Sequence, residues 1–437
     1  MKNETRTIYS WAFYDWANSA FATTIMAGFF PLFFKIYWAN PDHPADSTFY
    51  LGMANSLASI IVALLAPFLG SVADRGTARK KSLVTFSYFG IIMTGGLWMV
   101  QQGHWQLAVL LYVTATIGWS GANIFYDSLL TSVASEEKVD FVSTLGYALG
   151  YIGGGLLFLM NVLMYLKPSF FGIPSATEAI KLSFLSVAIW WAVFTVPVLL
   201  FVKEPQIHHP VRFSVAVRSG WKQLRGTLQE LRYFRIVGIF LVAYWLYIDG
   251  VDTIVRMAVD YGKSLNFSNT TLIMALLMVQ FVAFPAALLY GKIASKIGTK
   301  KAVMSGIFGY ILITFLGYFM KHEWNFYFLA FMVGLFQGGI QALSRSLYTR
   351  IIPHDKSAEF FGFYNMLGKF AAVLGPVLMG TVTLLTGNAR LGILSILVLF
   401  VGGAILLWRV DIPEGERIAR EYLSDIQVSN KGMQAGN

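Results

Sequence analysis

The chain has 437 residues, of which 56% are hydrophobic and 13% charged, whereas a soluble domain carries about 25% charged residues. That balance excludes an ordinary soluble domain, and the net charge of +10 sits in loops between apolar segments rather than on a nucleic-acid-binding face. Cysteine is absent, which excludes disulfides, a thiolate metal site and a Cys nucleophile.

Twelve apolar segments have the roughly 20-residue length a helix needs to cross a bilayer. The first six are 9–37, 49–72, 82–101, 105–131, 143–166 and 181–202. A polar, basic stretch follows, and then 236–258, 268–290, 302–321, 324–348, 360–386 and 390–409. The expected fold is an all-α polytopic membrane protein with two six-helix bundles, 1–202 and 236–410, joined by a cytoplasmic linker at 203–235 and closed by a cytoplasmic tail at 411–437. The first segment carries Asp15 and no convincing small-residue cleavage site, so no cleaved signal peptide is expected. With the N-terminus inside, 24 Lys and Arg fall on the inner side and six on the outer, which predicts cytoplasmic termini and linker in a cell membrane. In the linker, Trp221, Leu224, Leu228 and Leu231 recur at helical spacing and predict either a short amphipathic helix on the membrane surface or a solvated tether.

Carboxylates are costly in hydrocarbon and usually face a protein-lined cavity. Asp15, Asn18 and Ser19 share one face of the first helix, with Tyr14 beside them. In the second and third helices and the turn between them, Gly70, Asp74, Arg75 and Arg79 form an acidic and basic cluster. Asp127 lies near the same membrane face in the fourth helix. Gly146, Gly150 and Gly154 repeat every four residues in the fifth and predict close helix packing, either as a surface on which the halves slide or as an ordinary tight contact. The seventh helix carries Asp249, Asp252 and Arg256 on one side, with Tyr247 adjacent; Asp252 and Arg256 are spaced for an intrahelical pair, and two neighbouring acids can share a proton. Gln341 and Arg345 lie in the tenth helix and Lys369 in the eleventh. The six histidines, His43, His104, His208, His209, His322 and His354, fall in loops or at helix ends, against an embedded metal site.

The two halves repeat. Asp15-Trp-Ala-Asn18-Ser19 matches Asp249-Gly-Val-Asp252-Thr253. The turn Gly70–Lys81 matches Gly291–Lys301, with Ser295 where the first copy has an acid. Asn123–Thr131 matches Gln341–Thr349, setting Asp127 against Arg345. Duplicated six-helix halves are typical of secondary transporters, whose substrate site lies between the halves.

The turn Gly70-Ser-Val-Ala-Asp74-Arg75-Gly-Thr-Ala-Arg79-Lys80-Lys81 resembles the loop signature of the major facilitator superfamily, departing from it at Thr77 and Ala78. Tyr14-Asp15-Trp16-Ala17-Asn18-Ser19-Ala20-Phe21 resembles the first helix of its vacuole-effluxer-like family, which includes amino-acid exporters. The resemblance implies a twelve-helix transporter with a bacterial source. It also implies that Asp74 caps or pairs with the other half and that Arg79 pairs with Asp127 in a cytoplasmic latch; Arg345, near the same end of the tenth helix, is the expected second-half counterpart of Asp127 by its place in the repeat.

The sequence therefore predicts a secondary transporter, not an enzyme, that moves a small polar solute by alternating access. The solute is an amino acid or similar zwitterion, exported with proton coupling. Asp15, Asn18, Ser19, Tyr14, Tyr247, Asp249, Asp252, Arg256 and Lys369 are the expected cavity residues. A lipid or lysolipid mover on the same fold is the alternative; a membrane-embedded enzyme fits less well, since no His lies near the paired acids. No cofactor, metal or nucleic-acid partner is expected, and the protein is expected to act as a monomer in the bilayer.

Overall fold

Inside a bilayer no water is available to the backbone, so a chain this apolar must bond its N–H and C=O groups within helices. The computed structural model describes residues 2–38, 44–76, 79–203, 234–265 and 267–422, and they are helical almost throughout. The predicted linker helix around Trp221 lies outside the described residues.

The first span, α1, is α-helical over Lys2–Ala20 and then widens into π-helical turns at Phe21–Phe29 and Phe34–Trp38. It is followed by α2 (Pro44–Gly76), α3 (Arg79–Gly96), α4 (Trp105–Val133), α5 (Val139–Leu166) and α6 (Ala176–Phe201). The second set is α7 (Arg235–Ser264), α8 (Asn269–Ile297), α9 (Thr299–Tyr318), α10 (Glu323–Ile351) and α11 (Ser357–Thr386). The last, α12, is broken into Ala389–Ser395 and Leu397–Arg409. Among the described residues ten helices are long and apolar enough to span a membrane, and α2 and α11 contribute the shorter apolar stretches Leu57–Ser71 and Leu374–Thr386. The protein is a multi-pass integral membrane protein.

Local chemistry sets the helix ends. Ser175 caps α6 by accepting from the Glu178 N–H at 3.2 Å, and Ser268 caps α8 by accepting from the Thr271 N–H at 3.2 Å. Gly298, at φ 89°, makes the sharp turn from α8 to α9, a left-handed conformation that favours glycine.

One buried apolar cluster runs from Phe234 to Val410 and draws only on α7–α12 and their flanks. Two others belong to α1–α6, except that Leu277 of α8 enters one and Ala358 of α11 the other. The halves meet along α2 with α11 and α5 with α8, pairs related by the internal repeat. Small residues set these distances. A side chain at Gly70 would run into the backbone of Ala358, and one at Gly362 would come within 2.6 Å of the Ala66 carbonyl. A side chain at Gly291 would come within 2.6 Å of Thr144 Oγ1.

Candidate functional site

The polar contacts between the halves gather at the end bearing the α2–α3, α4–α5, α8–α9 and α10–α11 turns, the basic end. Among the described residues Tyr151 donates to Gln341 Oε1 at 2.9 Å and Ser357 donates to the Ser128 carbonyl at 3.2 Å, and most of the other contacts form three clusters.

The outermost is built on Asp74, near the C-terminus of α2. It accepts from the Arg79 Nε at 2.7 Å and from two backbone N–H groups of the other half, Ala358 at 3.1 Å and Glu359 at 2.8 Å. Those are free donors of the first turn of α11, so the carboxylate acts as an N-cap supplied from another helix. Arg79 also donates to the carbonyls of His354 and Asp355, both at 3.1 Å. The predicted pairing of Arg79 with Asp127 is thus corrected: Arg79 begins α3 beside Asp74 and spends its donors there. The Arg75 side chain lies outside the described ones. His354 and Asp355 are exposed, yet desolvation by neighbouring protein holds the His354 imidazole below the usual histidine range and pushes the Asp355 carboxyl up.

The second cluster centres on Asp140, in the first turn of α5. It accepts from Thr299 Oγ1 of α9 at 2.6 Å, Ser346 Oγ of α10 at 2.6 Å and Arg350 Nη2 at 3.1 Å. Where the second copy of the loop motif has Ser295 instead of an acid, the acid of this contact comes from the opposite half. Sequence reading missed Asp140, which looks like an ordinary first-turn acid until α9 and α10 are placed against it.

The third cluster lies deepest. Arg345 of α10 is 2% exposed and sits among groups of the first half. It donates to Asp127 Oδ1 at 3.1 Å, to Ser143 Oγ at 2.9 Å and to the Ser143 carbonyl at 3.0 Å. Its Nη1 is 3.5 Å from Asp15 Oδ2, which accepts from the Tyr126 hydroxyl at 2.8 Å. Asn365 of α11 donates to the other oxygen of Asp127 at 3.1 Å. Three rings surround the guanidinium, with centroids 4.4 Å (Tyr147), 5.0 Å (Trp11) and 5.4 Å (Tyr126) from its central carbon. Trp11 and Tyr126 stack at 4.3 Å, and the Trp11 indole donates to the Tyr126 carbonyl at 3.0 Å, which holds both rings in place. Asp127 and Arg345 are equivalent positions of the repeat. Such residues meet face to face only beside an axis relating the halves.

The remaining predicted residues separate. Asn18 is buried and donates to Asn123 Oδ1 at 2.6 Å, while Ser19 packs beside Gly150. Tyr14 and Tyr247 are sealed within their own halves, bonded to Ser87 and Ser344, both at 2.7 Å, so neither lines an open space. Asp249 is also fully buried. It accepts from the Leu374 and Gly375 N–H groups of α11 at 3.1 and 2.9 Å and from Thr253 at 3.3 Å. This corrects its expected cavity role: it caps the outer part of α11 beside Pro376. A side chain at Gly375 would collide with Thr253. Asp252 is half-buried, in electrostatic reach of Tyr147, Tyr151, Tyr244 and Tyr310. Arg256, one turn on, is exposed and within reach of Tyr112 of α4. The cation facing Asp15 is therefore Arg345 and not Arg256. The Lys369 side chain lies outside the described ones. Gly146, Gly150 and Gly154 do not face the other half. Added side chains there would come within 2.7 Å of Asp15 Oδ2, 2.6 Å of Ser19 Oγ and 2.8 Å of Thr23 Oγ1, so they seat α1 on α5. Among the described residues no group of His, Asp and Glu is arranged to hold a metal ion.

Comparison with known proteins agrees with this architecture. Residues 36–420 match the model of a family described as vacuole effluxer Atg22 like. An uncharacterized MFS-type transporter of Bacillus subtilis, YxiO, is 38% identical over 93% of this chain and 95% of its own. The human organic anion transporter MFSD10 superposes with a TM-score of 0.73 at 13% identity, over 92% of this chain and 99% of its own. The major facilitator transporter FucP, solved in the outward conformation, gives 0.70 at 11% identity, over 93% and 98%. The fold is the twelve-helix major facilitator fold, a transporter's and not an enzyme's.

Proposed function

Because the chain belongs to the vacuole effluxer Atg22-like family of major facilitator transporters, we propose that it is a secondary transporter working by alternating access. It exports a small polar solute, an amino acid or similar zwitterion, across the cell membrane in a proton-linked cycle. The basic end is cytoplasmic, as the distribution of Lys and Arg argues. The three polar clusters then lock the cytoplasmic side, and the conformation is outward-facing, the state in which FucP was solved.

The observation that carries the reading is the charge count in the deepest cluster. Two carboxylates share one guanidinium where water is scarce: the side chains of Asp15, Asp127 and Arg345 are 13%, 11% and 2% exposed. A buried charge without a partner is costly, so one proton balances the set. Asp127 holds the closer ion pair and a second donor in Asn365. Asp15 has the longer contact to Arg345 and is the proton carrier. When the cytoplasmic side opens, Arg345 leaves with the second half and Asp15 meets water, linking its proton to the conformational cycle. Asp252 and Arg256 on α7 offer charges of both signs to a zwitterion in the space between the halves.

The test is Asp15→Asn in proteoliposomes under an imposed proton gradient, with candidate amino acids as cargo. The variant should retain exchange of solute at equal pH and lose gradient-driven accumulation. Unchanged gradient-driven transport would sink the coupling role.

A further inference from the structure

Arg345 fills a site made almost wholly by the other half. Its guanidinium sits among Trp11, Tyr126 and Tyr147, with Asp127 and Asp15 on its donors and Ser143 on its Nε. Three of these six, Trp11, Tyr126 and Asp15, are held by contacts within the first half, whereas Asp127 also accepts from Asn365 and Ser143 also donates to the Ala342 carbonyl of the second. Trp11 and Tyr126 hold one another, Tyr126 holds Asp15, and α1 is seated on α5 by glycine contacts. The Trp11–Tyr126 wall and Asp15 of this cage are thus a preformed face for an organic monocation, and Arg345 is a tethered occupant that arrives only when the basic ends of the halves come together.

We propose that this cage, once Arg345 has withdrawn, binds the ammonium or guanidinium group of a solute entering from the basic end, so that solute cation and Arg345 compete for one place. This rests on the alternating-access reading above. The geometry suits the role. Aromatic faces and carboxylates together select a single positive charge over a neutral or anionic group. The charge balance is also kept: Asp127 and Asp15 with one proton accept one further cation, whether it belongs to Arg345 or to the solute. Closing the basic end then requires the solute to have moved on, since Arg345 cannot re-enter an occupied cage. Tyr147, the half-buried ring among the three, is the side from which the solute leaves towards Tyr151 and Asp252.

Arg345→Ala empties the cage without any motion of the halves. The purified variant is melted in millimolar methylguanidinium chloride against sodium chloride at equal ionic strength. Its Tm should rise with methylguanidinium, because a ligand that binds only the folded protein stabilises it. The wild type, whose cage is filled, should not respond, nor should Arg345→Ala combined with Asp127→Ala. No rise in Arg345→Ala, or the same rise in all three proteins, overturns the proposal. Should Arg345→Ala fail to fold, the absence of cysteine gives a second route. In Ser143→Cys, a cationic methanethiosulfonate reagent should react several-fold faster than an anionic one, and methylguanidinium should slow it. Equal rates, or no protection, overturn the proposal equally. Neither readout depends on which solute is carried or on a gradient, so a failure here is distinct from a failure of the Asp15→Asn transport assay.

Discussion

Asp15 and Asp249 hold matching places in α1 and α7, yet they face different partners. Asp249 is sealed inside the second half, where the N–H groups of Leu374 and Gly375 and the hydroxyl of Thr253 satisfy it. Asp15 faces the seam between the halves, bonded to Tyr126 of its own half and in contact with Arg345 of the other. One acid joins two helices of one bundle; the other joins the two bundles, which part in the proposed cycle. A carboxylate bonded by backbone donors stays bonded in every state of a rigid bundle. A carboxylate whose cation belongs to the other half loses it whenever the halves separate. The same residue type in the same motif is therefore a structural cap in one copy and a candidate coupling group in the other.

The largest effect in this comparison should come from the pair that fixes Asp15's surroundings. Arg345→Ala leaves Asp127 and Asp15 facing one another without their cation, and breaking a buried pair from one side costs about 3–5 kcal/mol. A denaturation series should show a loss of that order. A loss close to zero would mean that the pair is well hydrated.

Asp249→Ala comes next. It strips two buried helix N–H groups of their acceptor, a cost of about 1–3 kcal/mol for each group left unsatisfied. Asp249→Asn keeps one acceptor oxygen and should recover much of the loss. Transport by Asp249→Asn should still follow the proton gradient, in contrast with Asp15→Asn. If the two Asn variants behave alike in the gradient assay, the division of labour between the acids is wrong. Asp15→Asn itself should shift stability by less than about 1 kcal/mol, because an amide can still accept from Tyr126; a thermal melt checks this.

The smallest effect belongs to the outer latch. Desolvation by the surrounding latch holds the His354 imidazole below the usual histidine range although the residue is exposed, so its charged form is disfavoured only slightly in the folded latch. Stability is then full above the unfolded value of about 6.5 and falls as pH drops through it towards the lower folded value. His354→Gln should flatten that fall slightly as pH drops below about 6.5, in Tm measured against pH. An unchanged slope would place the acid sensitivity elsewhere in the seam.

Much of this was legible in the sequence because it depends on length, periodicity and repetition. Segment length and apolar composition gave the spans. The repeat of Asn123–Thr131 as Gln341–Thr349 aligned Asp127 with Arg345, and although the sequence paired Asp127 with Arg79, the structure brings the two aligned residues together. The turn motif at Gly70–Lys81 led to Asp74, and the structure puts Asp74 on the first turn of α11. The assignment of Arg79 failed for a local reason: spacing along the chain does not tell which of two acids near the same membrane face lies within reach of a side chain. Asp140 was missed because its partners come from α9 and α10, more than 150 residues on.

Sequence by itself determined what each segment is: membrane helices in two related halves, acids set where hydrocarbon would reject them, small residues where helices must approach. Those are properties of the chain against its solvent, and a bilayer enforces them residue by residue. Only the tertiary structure decided what each acid does. Asp15 and Asp249 are alike in type, spacing and span, and they differ only in what the neighbouring helices present: a second half's arginine and a ring of aromatics in one case, the open backbone of α11 beside Pro376 in the other. The free energy of a buried charge is set by its partners, and those partners are brought together by packing rather than by the order of the chain.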